Sequence, residues 1–288
     1  MEMAKVVRNW WSHSKTVVLI WSICIAIYFS LLRLALNNSS SLGYTSTIDS
    51  PVSNMEQRSR LYDKMERDLD ENGPAFLKHG GTTQSLSLSD IFTLKDGSVK
   101  PVHKAANPPV RANVLYLSPE YSVPISESAK QVFHPYFGKA IWFQNSSLYH
   151  FSMFHASHHI VPVPATEDEI EAEATAVGAV AEGLCPLKIV LDRVVLTSTG
   201  VLLGCWQYDD AILHTSFARL LGHPKVSSTE PSKELHVSHE LVARLNSIIR
   251  GAEVVISELW YVEEYDVLAL ALDGRMKERR FRLGCKRT

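Results

Sequence analysis

Two short stretches pair an imidazole with a hydroxyl: His150-Phe151-Ser152-Met153 and His214-Thr215-Ser216-Phe217. Each lies in an apolar, aromatic-rich run that reads as a β-strand, the first spanning Ser147 to Phe154. Successive side chains of a strand alternate between faces, so residues i and i+2 share one. His150 with Ser152, and His214 with Ser216, are therefore two imidazole-plus-hydroxyl sets, each aimed at one surface. Imidazole can take or give a proton near neutral pH, so two such sets on one surface can carry general acid and general base catalysis.

Other histidines fit that chemistry less well. A third triplet, His236-Val237-Ser238, abuts the helical pattern beginning at Glu240, and on a helix i and i+2 lie about 200° apart. His155, His158 and His159 have no carboxylate or cysteine at metal-ligand spacing, so a loop or strand-end role is expected and no metal site. The four cysteines, Cys24, Cys185, Cys205 and Cys285, form no C-x-x-C and signal neither a zinc site nor a disulfide framework.

The elements that must position the two pairs can be read in order. Asn113–Leu117 is a strand candidate, Ser126–Phe133 a short helix stopped before Pro135, and Ala140–Phe143 a strand leading through Gln144-Asn145-Ser146 to His150. Thr166 and Glu169 are spaced as a capping box, and Ile170, Ala174, Val177 and Ala181 set an apolar stripe on a helix that ends at Gly183. Leu187–Leu196 and Val201–Trp206 read as antiparallel strands joined at Ser198-Thr199-Gly200, with the His214 strand next. A helix over Glu240–Ile249 stops at Gly251. Val254–Tyr261 and Val267–Leu272 are expected to close the domain as a hairpin, and Phe281 and Leu283 alternate with arginines as a last edge strand. The class is α+β, with largely antiparallel sheets and flanking helices.

Upstream the chain changes character. Thr16 to Leu36 is apolar apart from Arg33, long enough to cross a bilayer, which takes roughly 20 residues. Lys5, Arg8 and Lys15 precede it and neutral Asn37-Asn38-Ser39 follows, so the N-terminus is expected in the cytoplasm and the rest in a lumen. No small-residue cleavage site follows the run, which favours a retained signal anchor: a single-pass type II protein of the endomembrane system, Golgi or ER. Glycosylation-type triplets at Asn37, Asn38 and Asn145 agree with that side. The expected organisation is thus a cytoplasmic segment 1–15, an anchor 16–36, a polar flexible stem 37–107 and a folded domain 108–288 beginning at Pro108. A net charge of −2 with 21% charged residues argues against a duplex-DNA binder.

The two histidine-x-serine tetrads, separated by a helix and a strand hairpin, resemble the two-histidine (2H) phosphoesterase superfamily. The run Ala211-Ile212-Leu213-His214-Thr215-Ser216-Phe217-Ala218-Arg219-Leu220-Leu221-Gly222 is similar to the second motif of the plant RNA ligase/cyclic nucleotide phosphodiesterase-like family. The likeness covers roughly residues 110 to 283. It implies two pseudo-symmetric α+β lobes lining a groove, His150 and His214 as acid and base without assigning which is which, and Ser152 and Ser216 on the phosphoryl oxygens. Serine stands here where threonine is commoner. Only Trp206–Asp210 occupies the place where that family inserts a helix and connecting segment, which implies a shortened second lobe.

From this resemblance the expected function is a cyclic phosphodiesterase needing neither metal nor other cofactor. Its substrates would be 2′,3′-cyclic nucleotides, RNA ends bearing a cyclic phosphate, or ADP-ribose cyclic phosphate, with the basic segment Arg275–Arg287 available to steer anions. A catalytically silent membrane-anchored scaffold that binds a nucleotide or protein partner is the alternative. A lumenal glycan enzyme is a third reading, which the absence of a D-x-D motif disfavours. Substrate identity and oligomeric state stay open. Deleting residues 16–36 should move the chain from the carbonate-resistant membrane pellet to the supernatant; a deletion variant that stays in the pellet would refute the anchor.

Overall fold

The computed structural model describes residues 82–83, 86–95, 98–197, 200–206, 213–225 and 231–286. The anchor at 16–36, the stem up to residue 81 and the 207–210 connection lie outside the described residues. Among the described residues no helix is long and apolar enough to cross a membrane.

The chain opens with β1 (Thr82–Thr83) and β2 (Leu86–Ser87), a single helical turn α1 (Leu88–Ile91), and the hairpin β3 (Phe92–Lys95) and β4 (Ser98–Pro101). Ser87 and Asp90 cap α1 reciprocally. Leu88, Ile91 and Phe92 are buried in the main core, so the folded part extends upstream of Pro108 into residues expected to be stem. The polar composition of 37–107 averages over this short apolar cluster and hides it.

Two antiparallel sheets follow. One has the order β13-β12-β5-β7, with β5 (Ala105–Tyr116), β7 (His150–Ser157), β12 (Glu258–Asp266) and β13 (Met276–Arg282). The other has the order β11-β8-β9-β10-β6, with β6 (Ile141–Phe143), β8 (Leu187–Thr197), β9 (Gly200–Trp206), β10 (Leu213–Leu220) and β11 (Glu253–Ile256). Every ladder among the described residues is antiparallel, and the α+β class with flanking helices stands.

Helices α2 (Pro119–Phe137) and α4 (Pro231–Ile249) pack on each other, and α4 packs on β8 of the five-stranded sheet. Both helices are longer than their sequence patterns indicated. Pro119 opens α2, where a missing N–H costs nothing, and Pro124 and Pro135 are carried inside it, each deleting one donor while Ile125, Ala129, Val132, Phe133 and Phe137 are buried. Along β8 beyond the start of β11, the Asn246 side chain from α4 takes over the pairing, accepting from the Val194 N–H at 2.6 Å and donating to its carbonyl at 3.0 Å.

Helix α3 (Glu167–Gly183) packs on β12 and β13. The Thr166/Glu169 capping box forms as expected, and Ile170, Ala174, Val177 and Ala181 are the buried stripe. Arg111, on β5 and 2% exposed, donates to Glu173 of α3 through Nε at 2.9 Å and Nη2 at 3.3 Å, and to the Val163 carbonyl at 2.9 Å. Tyr261 donates its hydroxyl to the same carboxylate at 2.7 Å.

Two expectations are corrected. The stretch expected as the second strand of a closing hairpin is a helical turn, α5 (Ala269–Leu272), bounded by left-handed Leu268 and Asp273; β12 pairs instead with β13 beyond it. Three of its four side chains are buried, and Leu270 N–H is taken by the buried Glu264 carboxylate at 2.7 Å, which removes it from any ladder. Cys185 and Cys285, 100 residues apart in sequence, are joined in a disulfide. The C-terminal segment docks on the end of α3 through Gly284 N–H to Ala181 O and Cys285 N–H to Leu184 O, both at 3.0 Å, which brings the sulfurs together.

Removing Glu173 leaves a buried guanidinium uncompensated. Glu173→Ala should lower stability by about 3 kcal/mol in urea unfolding, with Glu173→Gln milder because it can still accept from Arg111. Equal, near-zero effects would show that the pair does not hold α3 to the sheet.

Candidate functional site

The strands carrying the two histidines meet where the sheets meet. β7 is an edge strand of the four-stranded sheet and packs beside β10 of the other. The link from β6 to β7 runs through a 3-10 turn, Ser146–Leu148, and two main-chain bonds tie the junction: Gln144 N–H to Phe217 O at 2.9 Å and Leu117 N–H to Tyr149 O at 3.0 Å.

On β7, Phe151 is fully buried on the helix side, so His150 and Ser152 face the other way. Register extends that face into rows across the sheet. His150 stands opposite Tyr116, then Glu258, then Arg282; Ser152 stands opposite Val114, then Trp260, then Arg280. The Tyr116 and Trp260 rings stack at 3.9 Å, and the Arg280 guanidinium sits 4.4 Å from the Trp260 ring centroid. With Leu148, Val262 and Leu270 they form a second, smaller apolar cluster, separate from the helix-side core. Burial pushes the Tyr116 phenol up, with Arg280 pulling against it.

On β10, Thr215 and Phe217 are buried on the helix side, leaving His214 exposed and Ser216 half-buried on the open face. Here the ladder slips: Ser216 pairs with Leu202 and Ala218 with Val201, so Phe217 is an extra residue. The slip returns Arg219 to the face of Ser216, and its Nη2 donates to Ser216 Oγ at 3.3 Å. Sequence reasoning missed Arg219, because three residues along a regular strand is the opposite face. Burial lowers its pKa to about 10, which still leaves a cation at neutral pH. A similar slip at Met153 returns His155 to the face of His150 and Ser152.

β7 and β10 pack side by side, and the His214 imidazole is close enough to oppose protonation of His150. The structure therefore brings His150, His214, Ser216 and Arg219 to one locality, with the exposed Ser152 two residues along β7 from His150. His150 Nδ1 lies 2.7 Å from the Leu148 carbonyl. A carbonyl only accepts, so Nδ1 carries the proton and Nε2 presents its lone pair. Burial is the largest cause lowering the His150 pKa to about 4; His214 and His155 add to it and the Leu148 carbonyl opposes it. The ring is neutral at physiological pH.

The remaining histidines do not join this set directly. His236 is on α4 and pairs with Glu240 at 3.3 Å. His158 and His159 sit in the loop after β7, with ring contacts of 5.0 Å between His155 and His158 and 4.3 Å between His158 and His159. Among the described residues no three His, Cys, Asp or Glu side chains converge as a metal set. Burial raises the Glu264 carboxyl to about 7 against the pull of the Leu270 N–H.

Comparison with known proteins adds little. No protein-family profile matches the chain, and no curated protein does. Among solved structures, TT0787 of Thermus thermophilus is similar at 10% identity and a TM-score of 0.41, over 62% of this chain and 100% of that one. A conserved protein of unknown function, ATU0111 from Agrobacterium tumefaciens, is similar at 11% identity and 0.39, over 59% and 85%. At these scores neither likeness carries an argument.

In an NMR titration His150 should protonate with a midpoint near 4, and His214→Ala should move the midpoint upward by removing one opposing charge. Between that midpoint and the usual 6.5 the unfolded chain binds a proton that the folded chain does not. This histidine therefore makes stability fall as pH drops through that window. A midpoint at 6.5 that ignores His214 would separate the two rings.

Proposed function

We propose that this protein is a 2H-type cyclic phosphodiesterase that opens 2′,3′-cyclic phosphates on nucleotides or RNA ends, with the fold's two sheets acting as the two lobes. The observation that carries this reading is that β7 and β10, strands of different sheets each bearing a histidine beside a hydroxyl, pack side by side, with His214 near enough to oppose protonation of His150.

His150, neutral and with its proton fixed on Nδ1, has the Nε2 lone pair available and is assigned as the base. His150 Nε2 takes a proton from water as its oxygen bonds to phosphorus; the bond from phosphorus to one ring oxygen breaks, and His214, entering protonated, gives that oxygen its proton. The product is a phosphate monoester beside a free hydroxyl, and proton exchange with solvent resets the pair. Ser216, Arg219 and Ser152 hold the non-bridging oxygens, which is the positioning and charge stabilisation that phosphoryl transfer depends on. Arg280 and Arg282, on the rows through Ser152 and His150, extend positive charge along the same face and favour an anionic nucleotide.

A lumenal, membrane-anchored location is part of the proposal. The Cys185–Cys285 disulfide supports it, because such bonds persist in oxidising compartments.

The purified full-length chain in detergent should hydrolyse a 2′,3′-cyclic nucleotide with a chelator present. His150→Ala and His214→Ala should each lower kcat/KM by about 10²- to 10⁴-fold, the usual scale of acid–base catalysis, and Arg219→Met should also reduce it. Nucleotide binding without turnover would replace the enzyme reading with that of a silent scaffold.

A further inference from the structure

Between β6 and the 3-10 turn sits Gln144, 4% exposed and remote from any role in the proposed chemistry. Its side-chain nitrogen donates to two carbonyls, Leu148 O at 3.2 Å and Leu270 O at 3.3 Å. Both partners can only accept, so the amide orientation is chemically forced: the flipped amide would set oxygen against oxygen. Leu148 O is also the acceptor that holds His150 Nδ1 at 2.7 Å. A carbonyl has two lone pairs and here uses one for each donor.

The same residue reaches the other half of the site through its main chain. Gln144 N–H donates to Phe217 O at 2.9 Å, and Phe217 is the bulged residue that sets Ser216 and Arg219 on one face. On its far side Gln144 meets the turn α5, where the Leu270 N–H, in a different peptide group from the carbonyl that Gln144 touches, is held by the buried Glu264 carboxylate at 2.7 Å. Gln144 thus ties the Leu148 carbonyl, and through it the His150 ring, to the Leu270 carbonyl of α5.

We infer that Gln144 is a positioning residue: it orients the Leu148 carbonyl so that His150 keeps its Nδ1–H tautomer with the lone pair on Nε2, and it registers that ring against the Ser216–Arg219 half-site on β10. Its catalytic consequence rests on the phosphodiesterase reading; its effect on the tautomer does not. Without the second donor the Leu148–Tyr149 peptide is held from behind only by the longer Tyr149 N–H to Ser146 O bond at 3.3 Å, and the ring gains access to the Nε2–H form, which has no lone pair on Nε2. Partners that orient a functional histidine from behind typically change activity by about 10- to 100-fold when removed.

The test uses the full-length chain, labelled with 15N-histidine, in detergent. Two-bond 15N–1H correlations identify which ring nitrogen carries the proton. The wild-type chain should show His150 as the Nδ1–H tautomer alone, and Gln144→Met, of similar length but without donors, should show both tautomers at pH 7. On a 2′,3′-cyclic nucleotide the same variant should lose about tenfold in kcat with little change in KM. Should Gln144→Met fail to fold, Gln144→Asn keeps a buried amide but withdraws it from both carbonyls by one methylene, and the same two readouts apply. Glu264→Gln, which can still accept from Leu270 N–H, should leave the tautomer as it is. A folded variant at position 144 with the wild-type tautomer and wild-type kcat overturns the assignment. A tautomer change in a protein that shows no turnover even as wild type supports the assignment and sinks the hydrolase reading instead.

Discussion

The hydrogen bond from His150 Nδ1 to the Leu148 carbonyl is the constraint on which the site depends. It is short, it allows one tautomer only, and it fastens the ring to the turn from which β7 starts. Burial then keeps the ring neutral, because among the described residues no carboxylate stands beside it to offset the loss of hydration. A histidine near the surface of an edge strand would otherwise titrate close to its ordinary value and turn freely. Here its chemistry is decided by a main-chain oxygen and by the loss of water around the ring.

Everything behind that bond serves to keep two sheets in register. The helix-side core is continuous beneath both, joining Leu115, Phe151 and Tyr261 of one sheet with Leu203, Phe217 and Leu220 of the other. Buried polar groups then fix what apolar packing leaves free to slide. Arg111 with Glu173 locks α3 to its sheet, Asn246 finishes the edge of β8, and Gln144 spans the junction. Each is satisfied by partners in another element, so each specifies one relative placement where a greasy contact would tolerate several.

Local features were legible because they depend on near neighbours in the chain. The Thr166/Glu169 box, the Ile170–Ala181 stripe and the alternation of β13 follow from spacing within a turn or two. So does the shared face of His150 with Ser152. The features that escaped are those where something distant overrides local pattern. Residues 86–92 looked too polar to matter until Leu88, Ile91 and Phe92 found the core. Ala269–Leu272 has the apolarity of a strand, yet a buried carboxylate captured its N–H and turned it into a helical cap. Arg219 was invisible as a site residue because one extra residue at Phe217 inverted the alternation.

By itself the sequence determined the α+β class, most of the strand and helix positions, the two histidine–serine pairs and an apolar run fit to cross a bilayer. Those properties are written in side-chain type and period, which a single segment carries alone. Only the tertiary structure decided that His150 and His214 share one locality, that Arg219 joins them, that His150 stays neutral with its proton on Nδ1, and that Cys185 meets Cys285. Charge state, tautomer and cross-links are set by what stands within a few ångströms in space, and neighbours in space are chosen by the packing of the whole domain.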